Sequence, residues 1–226
     1  MTISNAARAR VKGIFEPIAL AMGRVGLTPD ALTLVGFGIT VVGAALVALE
    51  QWTIGGVVIF VGGVFDMFDG TLARATGKAS RLGAFMDSVF DRAGEAIVYV
   101  AIVTGAVIAG HERVPVLAAA AMAGAFMVSY VRAKAEGLGF TAGTGMAAVG
   151  LMPREVRLII LSVGLLLTDA PGIKGLEYAL GIIVIGAIIT VIQRIIHVRR
   201  QARRQALESI TTTTHAASET GASEKQ

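Results

Sequence analysis

The chain contains no cysteine, so disulfide bonds and thiol chemistry are excluded. Charge is scarce as well: Asp, Glu, Lys and Arg make up 16% of the 226 residues, against about 25% in a soluble domain. Histidine is nearly absent, and none of His111, His197 and His215 has a partner at metal-ligand spacing. The one tryptophan, Trp52, stands at the edge of an apolar run and reads as an interfacial anchor. What the chain does have is apolar sequence, 54% of residues, in runs close to bilayer length. That pattern predicts an all-α, polytopic membrane protein. Twenty-eight glycines fit the class, because tightly packed membrane helices favour small residues. A net charge of +4 could point to nucleic acid, but the placement of the positive charges argues for membrane topology instead.

Residues 1–27 mix Arg8, Arg10, Lys12 and Arg24 with Ile14, Phe15, Ile18, Leu20 and Met22. Glu16 and Pro17 interrupt any apolar core, so the segment is not read as a signal peptide. An amphipathic helix lying at the membrane surface is expected, with a disordered basic lead-in as the alternative. Residues 28–200 form the membrane domain. Spans are expected near 31–49, 54–74, 83–109, 114–135, 155–168 and 176–197, the fifth being short for a bilayer. Six spans place eighteen of the twenty Lys and Arg residues on one side and only Arg113 and Lys174 on the other. The basic side is therefore cytoplasmic and holds both termini, as expected of a cell-membrane protein. Five spans would scatter those charges. Residues 201–226 begin basic and turn into a Thr-, Ser-, Ala- and Glu-rich stretch that cannot bury a core, so disorder is expected there.

The chemistry lies at the junction of the second and third spans. Asp66 and Asp69 are three residues apart and share a helix face; Asp87 and Asp91 are four apart on the next helix. A short connection makes the two helices antiparallel neighbours, so four carboxylates can converge near the cytoplasmic membrane boundary. A charged aspartate at membrane depth costs about 2.5–3.5 kcal/mol. Four together also repel one another, so cations must lie between them. An all-oxygen donor set suits Mg²⁺ or Mn²⁺, and two such ions suit in-line displacement at phosphorus. Interhelical salt bridges to Arg74, Arg81 or Arg92 are the structural alternative. An ion-translocating channel or carrier is the functional one, but it calls for acidic groups on other helices, whose interiors lack them.

Asp66 through Asp91 also matches, at all eight fixed positions, the signature Asp-x2-Asp-Gly-x2-Ala-Arg-x8-Gly-x3-Asp-x3-Asp. In this the chain resembles the CDP-alcohol phosphotransferases. The resemblance implies a CDP-activated lipid, usually CDP-diacylglycerol, whose phosphatidyl group is joined to an alcohol with release of CMP. It implies that Asp66, Asp69 and Asp87 bind one metal ion and that Asp66, Asp87 and Asp91 bind a second. It makes Asp91 the general base as well. Gly70, Ala73, Arg74 and Ser80, with the stretch Pro29, Asp30, Ala31, Leu32 and Thr33, correspond to positions near the CDP moiety. It also implies a homodimer.

A second basic set comprises Arg132, Lys134, Arg154, Arg157 and Arg194. Cations so close to a membrane commonly snorkel outward, but Arg194 lies inside an otherwise apolar helix. Helix ends that aim cations at one cavity would suit an anionic polyol phosphate. The segment from Ser129 to Glu136, together with Gln193 and Arg194, resembles phosphatidylinositol-phosphate synthases, which implies inositol 1-phosphate as acceptor. Lys134 stands where that subfamily usually has arginine, and Met152 to Arg157 only approximates its pattern. Glycerol 3-phosphate is the alternative acceptor.

Overall fold

The computed structural model describes residues 16–140, 146, 149–170, 172 and 174–223, with side chains described through residue 206. Regular structure among them is helical, with no strand. Helix α1 covers residues 16–24. It is followed by α2 (Pro29–Ala48), α3 (Trp52–Ala75), α4 (Arg81–Ile108), α5 (Val114–Gly137), α6 (Arg154–Leu166) and α7 (Gly175–Ser223). Local sequence explains two of the starts. Thr28 caps α2, its Oγ1 accepting the Ala31 N–H at 3.2 Å, and Pro29 follows in the first turn, where no N–H is needed. Ser80 caps α4 in the same way through the Gly83 N–H at 2.9 Å.

Among the described residues four helices are long and apolar enough to cross a membrane: α2, α3, α5 and α7 over Gly175–Ala206. The other two expected spans are helical but fall short for physical reasons. The first half of α4 carries Arg81, Asp87, Asp91, Arg92 and Glu95. α6 has 13 residues, a rise of about 20 Å against a hydrocarbon core of about 30 Å. The backbone of α7 stays helical to Ser223, well past the point where composition suggests disorder; a helix satisfies its own backbone hydrogen bonds without a core.

The chain divides into two compact units, residues 1–123 with 154–184 and residues 124–153 with 185–226. In the first unit Ala19 of α1 is buried against Leu32, Phe68 and Leu72, with Met22 beside them. α1 thus packs an apolar side on the start of α2 and the end of α3 while Arg24 stays exposed. The expected basic residues before residue 16 lie outside the described residues. α2 and α3 approach at glycines. A Cβ on Gly43 would sit 2.8 Å from the Ile59 nitrogen, and one on Gly55 would sit 2.9 Å from the Gly43 oxygen. Gly36 and Gly62 repeat the arrangement nearer the carboxylates, each with the other's carbonyl in reach. This close approach brings Thr33 of α2 against Asp69 of α3. Trp52 does not act as an interfacial anchor. It is 4% exposed, packs over Gly105 and stacks edge-on to His111 at 6.1 Å.

In the second unit α7 secures the segment that precedes α6. Thr190 Oγ1 accepts the Leu151 and Met152 N–H groups at 3.2 and 3.0 Å and donates to the Gly186 carbonyl at 2.8 Å.

Candidate active site

The end of α3 and the start of α4 bring Asp66, Asp69 and Asp87 together, one carboxylate oxygen from each lying within 4.8 Å of the others. Both oxygens of Asp69 are oriented. Oδ2 accepts from Thr33 Oγ1 at 2.5 Å, and Oδ1 accepts from the Gly70 N–H. Each carboxylate oxygen has two lone pairs, so these bonds fix the group and leave electron pairs free. Three hard oxygen donors at this spacing, in a buried to half-buried setting, fit a divalent metal ion of the Mg²⁺ or Mn²⁺ kind.

Asp91 stands apart from that group. One guanidinium nitrogen of Arg154, at the start of α6, lies 2.5 Å from Asp66 Oδ2 and 2.6 Å from Asp91 Oδ1. Arg92 adds a contact of 3.3 Å to Asp91 Oδ2. Four carboxylates this close together require positive charge between them. Part of that charge is an arginine brought from 88 residues away. Arg154 thus bridges Asp66 and Asp91 in this arrangement.

Beside the aspartates lies a cavity of about 190 Å³. Of the nine residues expected near CDP, seven line it: Pro29, Asp30, Thr33, Gly70, Ala73, Arg74 and Ser80. The other two do not. Leu32 is fully buried in the cluster with Ala19, Phe68 and Leu72, and Ala31 spends its N–H on the Thr28 cap. Lys78, Gly83 and Ala84 also line the cavity. Lys78 was legible as a basic residue in the short α3–α4 connection. A Cβ on Gly70 would sit 3.2 Å from the Arg74 guanidinium, and one on Gly83 would sit 3.1 Å from Ser80 Oγ and 3.5 Å from Asp30 Oδ1. These two glycines keep the cationic and polar walls open to a ligand. The cavity thus offers Arg74, Lys78 and a capping serine within reach of a carboxylate-bound metal, a setting for a pyrophosphate.

The remaining acceptor candidates are engaged elsewhere. Arg157 is 2% exposed and makes a two-point ion pair with Glu95, Nε to Oε1 at 2.7 Å and Nη2 to Oε2 at 2.9 Å. The cavity next to Arg154 and Arg157 holds only about 40 Å³, room for a few waters and far below a polyol phosphate. Arg194, 3% exposed, donates Nε to the Val149 carbonyl at 2.9 Å and Nη1 to the Val128 carbonyl. Arg132 pairs with Glu136 at 3.0 Å on an exposed face, and Lys134 is exposed. Three of the five candidates thus hold helices, segments or carboxylates in place, because a buried guanidinium with five donors must find acceptors.

A family profile described as CDP-alcohol phosphatidyltransferase matches residues 26–195. The chain is 32% identical over 194 residues to the archaetidylinositol phosphate synthase of Pyrococcus horikoshii, covering 86% of this chain and 95% of that one. Two crystal structures of Mycobacterium tuberculosis phosphatidylinositol phosphate synthase are similar in fold at 31% identity. The one with CDP-DAG bound has a TM-score of 0.69 and covers 82% of this chain and 93% of its own. The one in complex with manganese and citrate has a TM-score of 0.70 and covers 81% and 88%.

Proposed function

The chain belongs to the CDP-alcohol phosphatidyltransferase family, and from that premise we propose that it transfers a phosphatidyl group from CDP-diacylglycerol to inositol 1-phosphate, releasing CMP. The observation that carries the reading is the junction of a three-carboxylate group with a cavity lined by Arg74, Lys78 and Ser80. The relatives named above, which make phosphatidylinositol phosphate or its archaeal counterpart, support the choice of acceptor.

In this reading Asp66, Asp69 and Asp87 hold a divalent ion, with Thr33 orienting Asp69. When bound, that ion supplies neutralising charge to the pyrophosphate. Arg74 and Lys78 bind the CDP phosphates and take up charge on the departing CMP. Asp91 accepts the proton of the acceptor hydroxyl as its oxygen bonds to phosphorus and the bond to CMP breaks. A lipid substrate explains why this chemistry stands at a membrane.

A panel of acceptors tests the specificity. Purified protein given CDP-diacylglycerol and a divalent ion should convert inositol 1-phosphate, with glycerol 3-phosphate second and free inositol or serine poor. Charge-assisted hydrogen bonds to the acceptor phosphate, about 1.5–3 kcal/mol each, would give roughly ten- to a hundredfold preference over free inositol. Free inositol as the better acceptor would contradict the anionic-acceptor reading and leave the metal site standing.

The proposal extends to six spans preceded by an interfacial α1, with both termini cytoplasmic in a cell membrane. Two observations support it: the one-sided Lys and Arg, and the ion pairs Asp91–Arg154 and Glu95–Arg157, which make α4 and α6 run in the same direction. Single cysteines introduced at Glu112 and Ala79 test it, since the native chain has none. A membrane-impermeant reagent should reach position 112 from outside and position 79 only after lysis; the reverse pattern would overturn the orientation. The implied homodimer rests on the family resemblance, because Gly36, Gly43, Gly55 and Gly62 are used within one chain.

A further inference from the structure

Glu95 lies one turn beyond Asp91 on α4, outside the eight-position signature, and is a carboxylate with 10% of its side chain exposed. Its partners are Arg157 through two bonds and Arg92 Nη1 at 2.8 Å. One turn earlier on both helices stands a second rung, Arg154 Nη1 on Asp91 Oδ1 at 2.6 Å. The spacing is matched, with Asp91 and Glu95 four apart on α4 and Arg154 and Arg157 three apart on α6. Both rungs therefore close together in only one register of α6 on α4. The inner rung is the more buried and the better directed, because a two-point guanidinium–carboxylate pair fixes angle as well as distance. The small cavity behind it is lined by Gly63, Gly94 and Tyr99, while α6 also packs on α3 through Leu158 against Gly63 and Leu165 against Gly56, so the pair adds direction to a helix that packing already brings close.

We infer that Glu95 is a positioning residue for the carboxylate site. Through Arg157 it fixes α6 in register, and so holds the Arg154 guanidinium on Asp66 and Asp91. The inference rests on the reading of the aspartates as a metal site, and it concerns how strongly that site attracts a cation. Arg154 offsets negative charge that a divalent ion would otherwise meet. The Glu95–Arg157 pair is itself neutral, so removing both members acts on the site through the guanidinium groups they hold, Arg154 and also Arg92, which bonds Glu95 and touches Asp91.

The test is calorimetric Mn²⁺ binding to detergent-solubilised protein, with no turnover required. Removing one member of a buried pair strands a charge, whereas replacing both with apolar residues is often tolerated. The main variant is accordingly E95L/R157M, with Glu95→Gln, which keeps the side-chain volume, as the second. The double variant should bind Mn²⁺ about three- to tenfold more tightly than the wild type, and Glu95→Gln, which leaves the Arg157 charge unbalanced beside the site, should gain less. Arg154→Ala should do the same. Adding E95L/R157M to Arg154→Ala should bring little further gain, because the pair acts chiefly through that guanidinium. A merely structural pair would lower the melting temperature and leave Mn²⁺ affinity alone. Unchanged affinity in both variants, or an equal gain with Arg154 already absent, overturns the inference while the metal site stands. A wild type that binds no Mn²⁺ overturns the metal reading and this inference with it.

Discussion

Replacing Asp91 with asparagine is expected to lower CMP release by about 10²–10⁴-fold, the range that removal of a general base commonly costs. The substitution separates two roles that the structure superimposes on one carboxylate. Asp91 Oδ1 lies 2.6 Å from Arg154 as an ion pair without a hydrogen bond, and an asparagine keeps the shape and an oxygen in that place. Arg154 also keeps Asp66 at 2.5 Å, so the guanidinium stays anchored and folding should change little. What the amide cannot do is take up a proton from an alcohol. If Asp91 serves only to hold Arg154, the asparagine variant should retain most of its activity, and rates in detergent measured against CDP-lipid binding distinguish the two.

Replacing Arg157 alone with methionine is expected to act on stability before it acts on anything else. The change leaves the Glu95 carboxylate in an apolar interior without its two-point partner, and breaking a buried pair in this way costs about 3–5 kcal/mol. Arg92 stays bonded to Glu95 at 2.8 Å and is itself a quarter exposed, which places the cost toward the lower end. For a chain of this size that corresponds to a fall in Tm of roughly 10 °C. Adding Glu95→Leu should recover most of it, since no charge is then stranded. A single variant that melts with the wild type would show that water or another group already solvates Glu95, and that the pair does not secure α6.

The carboxylate group was legible in the sequence because its geometry is local: spacings of three and four on two helices joined by a short turn put Asp66, Asp69 and Asp87 together. The cavity walls were legible for a different reason. Pro29, Asp30, Gly70, Arg74 and Ser80 stand at positions that the resemblance to the family marks as near the CDP moiety. The contacts that give the site its character were not legible, because they join distant segments: Thr33 to Asp69, Glu95 to Arg157, and Arg154 to Asp66. No periodicity says which of several nearby arginines will turn inward. Arg154, Arg157 and Arg194 all read as cations facing a cavity, and the partners each one has, a carboxylate or a carbonyl within its own unit, could not be read from spacing. The span count suffered from the opposite problem. Charge in α4 and the brevity of α6 are the marks of functional helices, and they are the same marks that a hydropathy criterion rejects.

The most direct measurement of the central claim is CMP release from CDP-diacylglycerol by the purified, detergent-solubilised protein, with inositol 1-phosphate present, as Mn²⁺ or Mg²⁺ is removed by a chelator and then restored. The account predicts that release stops with the metal and returns with it, and that Asp87→Asn, which takes one donor from the three-carboxylate group, needs a much higher metal concentration for the same rate. Release that continues unchanged under chelation, or a robust cation flux in liposomes with no CMP released at any metal concentration, would contradict it.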